Sequence, residues 1–204
     1  MKALELSVRK IDSIKQMYVL HDQNEIIISL LPPLAELNSH DHAAGQFGTS
    51  FINEFTFYIG EQGHHVTGDV IYDIAGGVSH SASSPHNDTI ATLDIKYIGE
   101  NENASRADAT VVKLIREMIQ PNLYRQTYEN DVFKFQKYLF GDCTALECGK
   151  GEYDYVMTDA PGIRIIGDTE TDLTEFCIYR FEKEKAYRIA GCQTNARLLC
   201  ITFK

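Results

Sequence analysis

Four side chains in the first half of this chain, His40, His42, Gln46 and His80, have the types and spacing to close around one divalent metal. All seven histidines (His21, His40, His42, His64, His65, His80 and His86) precede residue 87, so any imidazole chemistry belongs to that half. Side chains two residues apart in a strand share a face, so His40 and His42 can both face a barrel interior. Gln46 keeps the same parity, and Ala43-Ala44-Gly45 can bend the chain before it. His80 follows enough chain for several short strands and can return from a neighbouring one. Neutral imidazoles suit Fe, Co, Ni, Cu or Zn, and an amide oxygen makes a weaker, exchangeable fourth ligand. Two or more positions then stay open for catalysis or substrate chelation. By itself the His40–His42 pair fits either a ligand pair or two ordinary polar histidines.

The elements that must position these residues read as short strands punctuated by Gly and Pro. They are the runs Ile26 to Pro33, Phe55 to Gly60 and Gly68 to Ile74, the pattern of an all-β barrel or jelly roll. The second half continues with Phe133 to Phe140, Tyr153 to Met157, Ile163 to Ile166, Phe176 to Phe181 and Leu198 to Phe203. One segment differs. Arg106 to Ile119 places apolar residues near helical spacing, with Ser105 as N-cap and Pro121 as stop, and predicts a helix linking two β units. The polar stretch Glu100 to Ser105 marks the boundary, giving units 1–104 and 105–204.

A chain of 204 residues, 44% hydrophobic, can bury a core as one large or two small domains. A net charge of −10 without a basic cluster argues against nucleic acid and anionic membrane surfaces. An anionic substrate must therefore be held by local cations or the metal. Met1 to Met17 is polar and charged and no apolar run is long enough to span a bilayer, so the expected compartment is the cytoplasm. The five cysteines (Cys143, Cys148, Cys177, Cys192 and Cys200) all lie in the second half, fit no zinc-finger spacing and are expected to be free thiols.

Minor features have ordinary readings. His64-His65 after Gly63 suggest solvent-exposed histidines in a turn, and His86 a polar loop. Gly76-Gly77 suggest a turn into the His80 strand, since no helix follows to make a phosphate cradle. Glu54 reads as a surface charge or a base near the mouth, and Lys96 as a surface lysine or a carboxylate partner.

The stretch LPPLAELNSHDHAAGQFGTSFINEFTFYIGEQGHHVTGDVIYDIAGGVSHS resembles the cupin family, with an H-x-H-x3-Q first motif and a second motif ending at His80. Most cupins carry Glu where this chain has Gln46, and Pro where it has Ile74. The Gln variant is similar to the bicupin isomerases of the bacilysin and aeruginosin pathways, over about Glu25 to Tyr97 and including HNDTIATLDIKY. The resemblance implies an all-β jelly-roll, bicupin-like chain whose metal ligands are His40, His42, Gln46 and His80. It implies one divalent transition metal (Fe, Co, Ni, Mn or Zn) and no organic cofactor. The second unit departs from the family, having no histidine after His86, and reads as a degenerate cupin that is structural or walls the pocket.

The implied reaction is a 1,3-allylic isomerisation of a prephenate-derived dihydro-4-hydroxyphenylpyruvate, a small-molecule 2-oxo acid. Glu54, His65 and Tyr58 are the expected catalytic bases, and Lys96 the expected substrate-binding cation. A cupin dioxygenase and a non-catalytic small-molecule-binding cupin are the rival classes. A monomer and a homodimer are both compatible with the sequence.

Overall fold

The computed structural model describes residues 1–85, 87–98, 109–141 and 144–204, and all regular structure among them is β. In chain order the strands are β1 (Lys2–Ala3), β2 (Ser7–Ile11), β3 (Ile14–His21), β4 (Asn24–Leu31), β5 (Glu36–His40), β6 (Gly45–Ile52), β7 (Phe55–Ile59), β8 (Gln62–Val66), β9 (Val70–Ile74), β10 (His80–Ser83) and β11 (Ile90–Tyr97). There follow β12 (Ala109–Lys113), β13 (Glu117–Gln120), β14 (Leu123–Glu129), β15 (Phe133–Phe140), β16 (Ala145–Cys148) and β17 (Tyr155–Met157). The last are β18 (Ile163–Ile166), β19 (Glu170–Asp172), β20 (Tyr179–Arg180), β21 (Tyr187–Gly191) and β22 (Ala196–Phe203).

These strands divide into two compact units, Leu6–Leu114 and Met1–Glu5 with Ile115–Lys204. The first unit pairs a seven-stranded sheet, β12-β9-β6-β11-β4-β3-β2, with a four-stranded sheet, β5-β10-β7-β8. The second repeats the plan with β1-β20-β17-β22-β15-β14-β13 and β16-β21-β18-β19. Each strand of one unit has a counterpart at the same place in the other, so the chain is a jelly roll made twice. The short β1 completes the second unit's sheet by pairing with β20, as β12 completes the first unit's by pairing with β9.

Local sequence explains the elements. Ile26, Ile27 and Ile28 are fully buried because β4 lies between β3 and β11 with both faces covered. Two-residue connections join β2 to β3 and β3 to β4, and Asp12 (φ 52°) and Asp22 (φ 53°) take the left-handed backbone such hairpins require. The first unit's apolar core gathers Ile14, Leu31, Phe55, Phe57, Tyr72 and Ile74 from both sheets.

Among the described residues the linking helix does not form. Residues 99–108, which include the expected N-cap Ser105 and the boundary stretch, lie outside the described residues, as do His86 and Cys143. Ala109–Lys113 and Glu117–Gln120 are strands. The central Thr110-Val111-Val112 is β-branched, and the open edge of β9 supplies a hydrogen-bonding partner from Ala109↔Ile74 to Lys113↔Val70. Pro121 starts a hairpin turn instead of stopping a helix; Asn122 (φ 61°) completes it, and β13 folds back on β14. His64 and His65 likewise lie within strand β8, not in a turn.

Candidate metal centre

Three separate elements deliver His40, His42 and His80. His40 is the last residue of β5 and His80 the first of β10, and the two pair directly across the sheet. One step on, Ala82 pairs with Leu37, so β5 carries one extra residue between the two pairs. This bulge turns both Leu37 and His40 to the same cavity. His42 is not on a strand, as the i, i+2 parity suggested, but in the connection that ends at β6. That connection is held by the Gly76-Gly77 turn, where the Gly77 amide donates to the His42 carbonyl at 2.8 Å. A Cβ on Gly76 would stand 2.0 Å from the Ala43 oxygen, and Gly77 has φ 80°. The two glycines thus let the His80 arm close on the His42 connection.

The three imidazoles are oriented alike. Each Nδ1 lies against a backbone carbonyl: His40 on Asn38 at 2.9 Å, His42 on Ala44 at 2.7 Å and His80 on Val78 at 2.8 Å. A carbonyl only accepts, so each Nδ1 carries a proton, and in the neutral ring each Nε2 keeps its lone pair. The prospective ligand atoms lie within 4.8 Å of one another. His80 is buried and its Nε2 has no hydrogen-bond partner among the described residues. Burial first, then the neighbouring His40, His42 and Lys96, hold its pKa down to about 4 despite the Val78 bond, so the ring is neutral at pH 7. Gln46 Oε1 lies 2.7 Å from His42 Nε2. With the proton on Nδ1 both atoms are acceptors, and a bound cation would satisfy them together. Four neutral donors, one of them an orphaned buried nitrogen, fit a divalent transition metal.

Behind these donors lies a polar row that the sequence reading missed. Gln46 Nε2 donates to Asp94 Oδ1 at 2.9 Å, and the Tyr72 hydroxyl donates to the same oxygen. Thr92 and Ser29 hydroxyls reach Asp94 Oδ2 at 2.8 and 3.2 Å. Register makes this possible: Asp94 pairs with Gly48 on β6, and Gly48 pairs with Tyr72 on β9. A Cβ on Gly48 would collide with the Tyr72 ring at 2.2 Å, so the bare glycine is what lets Tyr72 cross β6 to Asp94. Burial, then the Asp94 carboxylate, push the Tyr72 phenol well above its ordinary pKa and keep it a donor. The sequence signal for this row is the alternation of Thr92, Asp94 and Lys96 with apolar residues along β11, which puts three polar side chains on its inward face.

The cavity beside the cluster encloses about 610 Å³ of empty space, its open mouth included. Leu31, Phe55 and Phe57 form its apolar wall, and Phe57 stacks on Tyr72 at 3.8 Å. Lys96, opposite Gln46 on β11, is the single lysine or arginine in its described lining. It makes no hydrogen bond or ion pair with the described residues, and burial lowers its pKa.

No protein-family model and no curated protein matches this chain. Its structure is similar to AerE from Microcystis aeruginosa, with TM-score 0.78, 17% identity, and 99% of this chain and 98% of that one covered. A cupin 2 conserved barrel domain protein from Leptotrichia buccalis gives 0.66 at 11% identity, covering 100% and 98%. An oxalate decarboxylase variant from Bacillus subtilis gives 0.69 at 7% identity, covering 97% and 75%. The fold is the cupin fold.

Within the first cupin barrel the structure brings together His40, His42, Gln46, His80 and Lys96. It does not bring Glu54, His65 or Tyr58 to the cavity lining. Glu54 and His65 bond each other at 2.9 Å, each side chain substantially exposed. Tyr58 alternates away from Phe57, which takes the inward face of β7. In the second barrel the pair corresponding to His40 and His80 is Cys148 and Tyr187, the last residue of β16 opposite the first of β21. Burial pushes the Cys148 thiol well above its ordinary pKa, which disfavours the thiolate a metal needs.

Proposed function

We propose that this chain is a metal-dependent isomerase of a small 2-oxo acid, with His40, His42, Gln46 and His80 as ligands of one divalent transition metal and Lys96 as the substrate's carboxylate partner. The observation that carries the reading is the set of converging, pre-oriented Nε2 atoms beside a cavity whose one described lysine, Lys96, makes no hydrogen bond or ion pair with the described residues. The similarity to bicupin isomerases over Glu25 to Tyr97, and the likeness in fold to AerE, support it.

A metal at this site would supply Lewis acidity to a chelated 2-oxo acid. The remaining roles fall to the chain. Lys96 places a cation where the carboxylate of the substrate needs one, against the chain's overall negative field. Phe55, Phe57 and Leu31 offer an apolar surface to a hydrophobic ring and keep water from it. The neutral ligand set leaves the metal's charge to the substrate. The bond changes balance without a redox partner. A proton leaves the methylene next to the ketone, the ring double bond shifts into conjugation, and a proton returns to the ring carbon two bonds away.

Anaerobic ultraviolet spectroscopy with freshly generated dihydro-4-hydroxyphenylpyruvate tests this. A new long-wavelength band without oxygen, absent in His42→Ala, is the expected result. Turnover only with oxygen uptake would establish a dioxygenase, and no reaction in either condition would leave a binding cupin; both contradict the proposal.

A further inference from the structure

Gln46 is oriented by the residue behind it. Its amide nitrogen is bound 2.9 Å from Asp94 Oδ1, so its oxygen is turned toward His42 Nε2. Asp94 is itself fixed from both sides: Gln46 and Tyr72 donate to one oxygen, Ser29 and Thr92 to the other. The row runs on outward in register. Ser29 accepts from Gln16 Nε2 at 3.1 Å, and Gln16 Oε1 accepts from Arg9 Nε at 2.8 Å. Arg9 then makes a two-pronged pair with Glu25, at 3.0 and 2.7 Å. A carboxylate accepts only, so as long as residue 94 is Asp, the nitrogen of Gln46 must face it.

We propose that Asp94 is the positioning residue of the metal centre. It locks the Gln46 amide with its oxygen toward the metal, and it keeps the site's negative charge one residue behind a neutral ligand shell. The inference rests on the metal-site reading above and adds a direct consequence. A carboxylate at position 46 is an ordinary metal ligand, yet here it would face the Asp94 carboxylate at hydrogen-bonding distance, where two like charges cannot both persist. Exchanging the two groups, with Gln46→Glu and Asp94→Asn together, restores the match. The amide introduced at position 94 then donates to the carboxylate introduced at position 46. The charge of the pair is unchanged, and the Tyr72 hydroxyl can accept as readily as donate.

Co(II) affinity, measured by competition with a chromophoric chelator, and the visible Co(II) spectrum test this. Circular dichroism and thermal melting confirm that each variant is folded. Outer-shell partners commonly contribute roughly 10–100-fold in metal affinity. Gln46→Glu alone is expected to weaken Co(II) binding by about that factor, and the exchanged pair to return it to within about threefold of the parent with an altered spectrum. Tighter binding by Gln46→Glu alone, or effects of the two substitutions that simply add, would overturn the role of Asp94 while leaving the metal site intact. A parent protein that takes up no Co(II) would overturn both readings.

Discussion

The two barrels of this chain share one strand plan and differ in what fills them. In the first, β5 and β10 meet at His40 and His80, and the interior holds a polar row and a cavity lined by Lys96. In the second, the equivalent strands meet at Cys148 and Tyr187, and aromatic rings occupy the interior. Tyr138 and Tyr153 bond hydroxyl to hydroxyl at 2.6 Å, and Phe181 packs on Tyr187 at 4.3 Å. Burial pushes the Tyr138 phenol up to about 12, and the Cys200 thiol well above its usual range. The same backbone therefore supports either a site or a packed core, and the choice is made by a few inward positions.

Substitutions at matched positions should separate the two barrels. His80→Ala is expected to lower metal affinity by more than about 100-fold, since outer-shell partners alone reach that factor. Tyr187→Phe, at the corresponding place in the second barrel, should leave metal content unchanged; equal loss from both would erase the distinction. Tyr153→Ala opens a void in the second barrel and should cost about 3–5 kcal/mol in denaturant unfolding, with metal stoichiometry intact. Gly76→Ala drives a methyl into the Ala43 carbonyl and should weaken metal binding by roughly tenfold, less than loss of a ligand, because the His42 connection can shift. Lys96→Met should raise KM for a 2-oxo acid by about tenfold, the scale of one charge-assisted hydrogen bond, while the Co(II) spectrum stays unchanged.

A smaller effect follows from His80 in the metal-free protein. Its pKa is about 4 when folded against an ordinary 6.5. Between these values the unfolded chain binds the extra proton. Stability should therefore be full above about pH 6.5 and decline as pH falls toward 4. His80→Asn should flatten that slope in urea midpoints measured across the window.

Much of the first barrel was legible from sequence. The strand runs are largely those the structure shows, because alternation along strands carries that information, whereas His42, which parity put on a strand, lies in the connection before β6. What was not legible depends on pairing. The helix expected at 106–119 fails because the edge of β9 offers Thr110 to Val112 a partner that no local pattern reveals. Asp94 and Tyr72 are 22 residues apart, and only the register across Gly48 makes them neighbours. Glu54, His65 and Tyr58 have suitable chemistry but lie outside the described cavity lining, Glu54 and His65 as an exposed pair. Residue type names candidates; strand register decides among them.

The first barrel is expected to bind metal and the second is not. Titration of the demetallated protein with Co(II), followed by calorimetry and visible absorption, tests this most directly. One ion per chain is the expected result, with a spectrum abolished by His80→Ala and unaffected by Tyr187→Phe. Two ions per chain, or binding that survives His80→Ala, would contradict it.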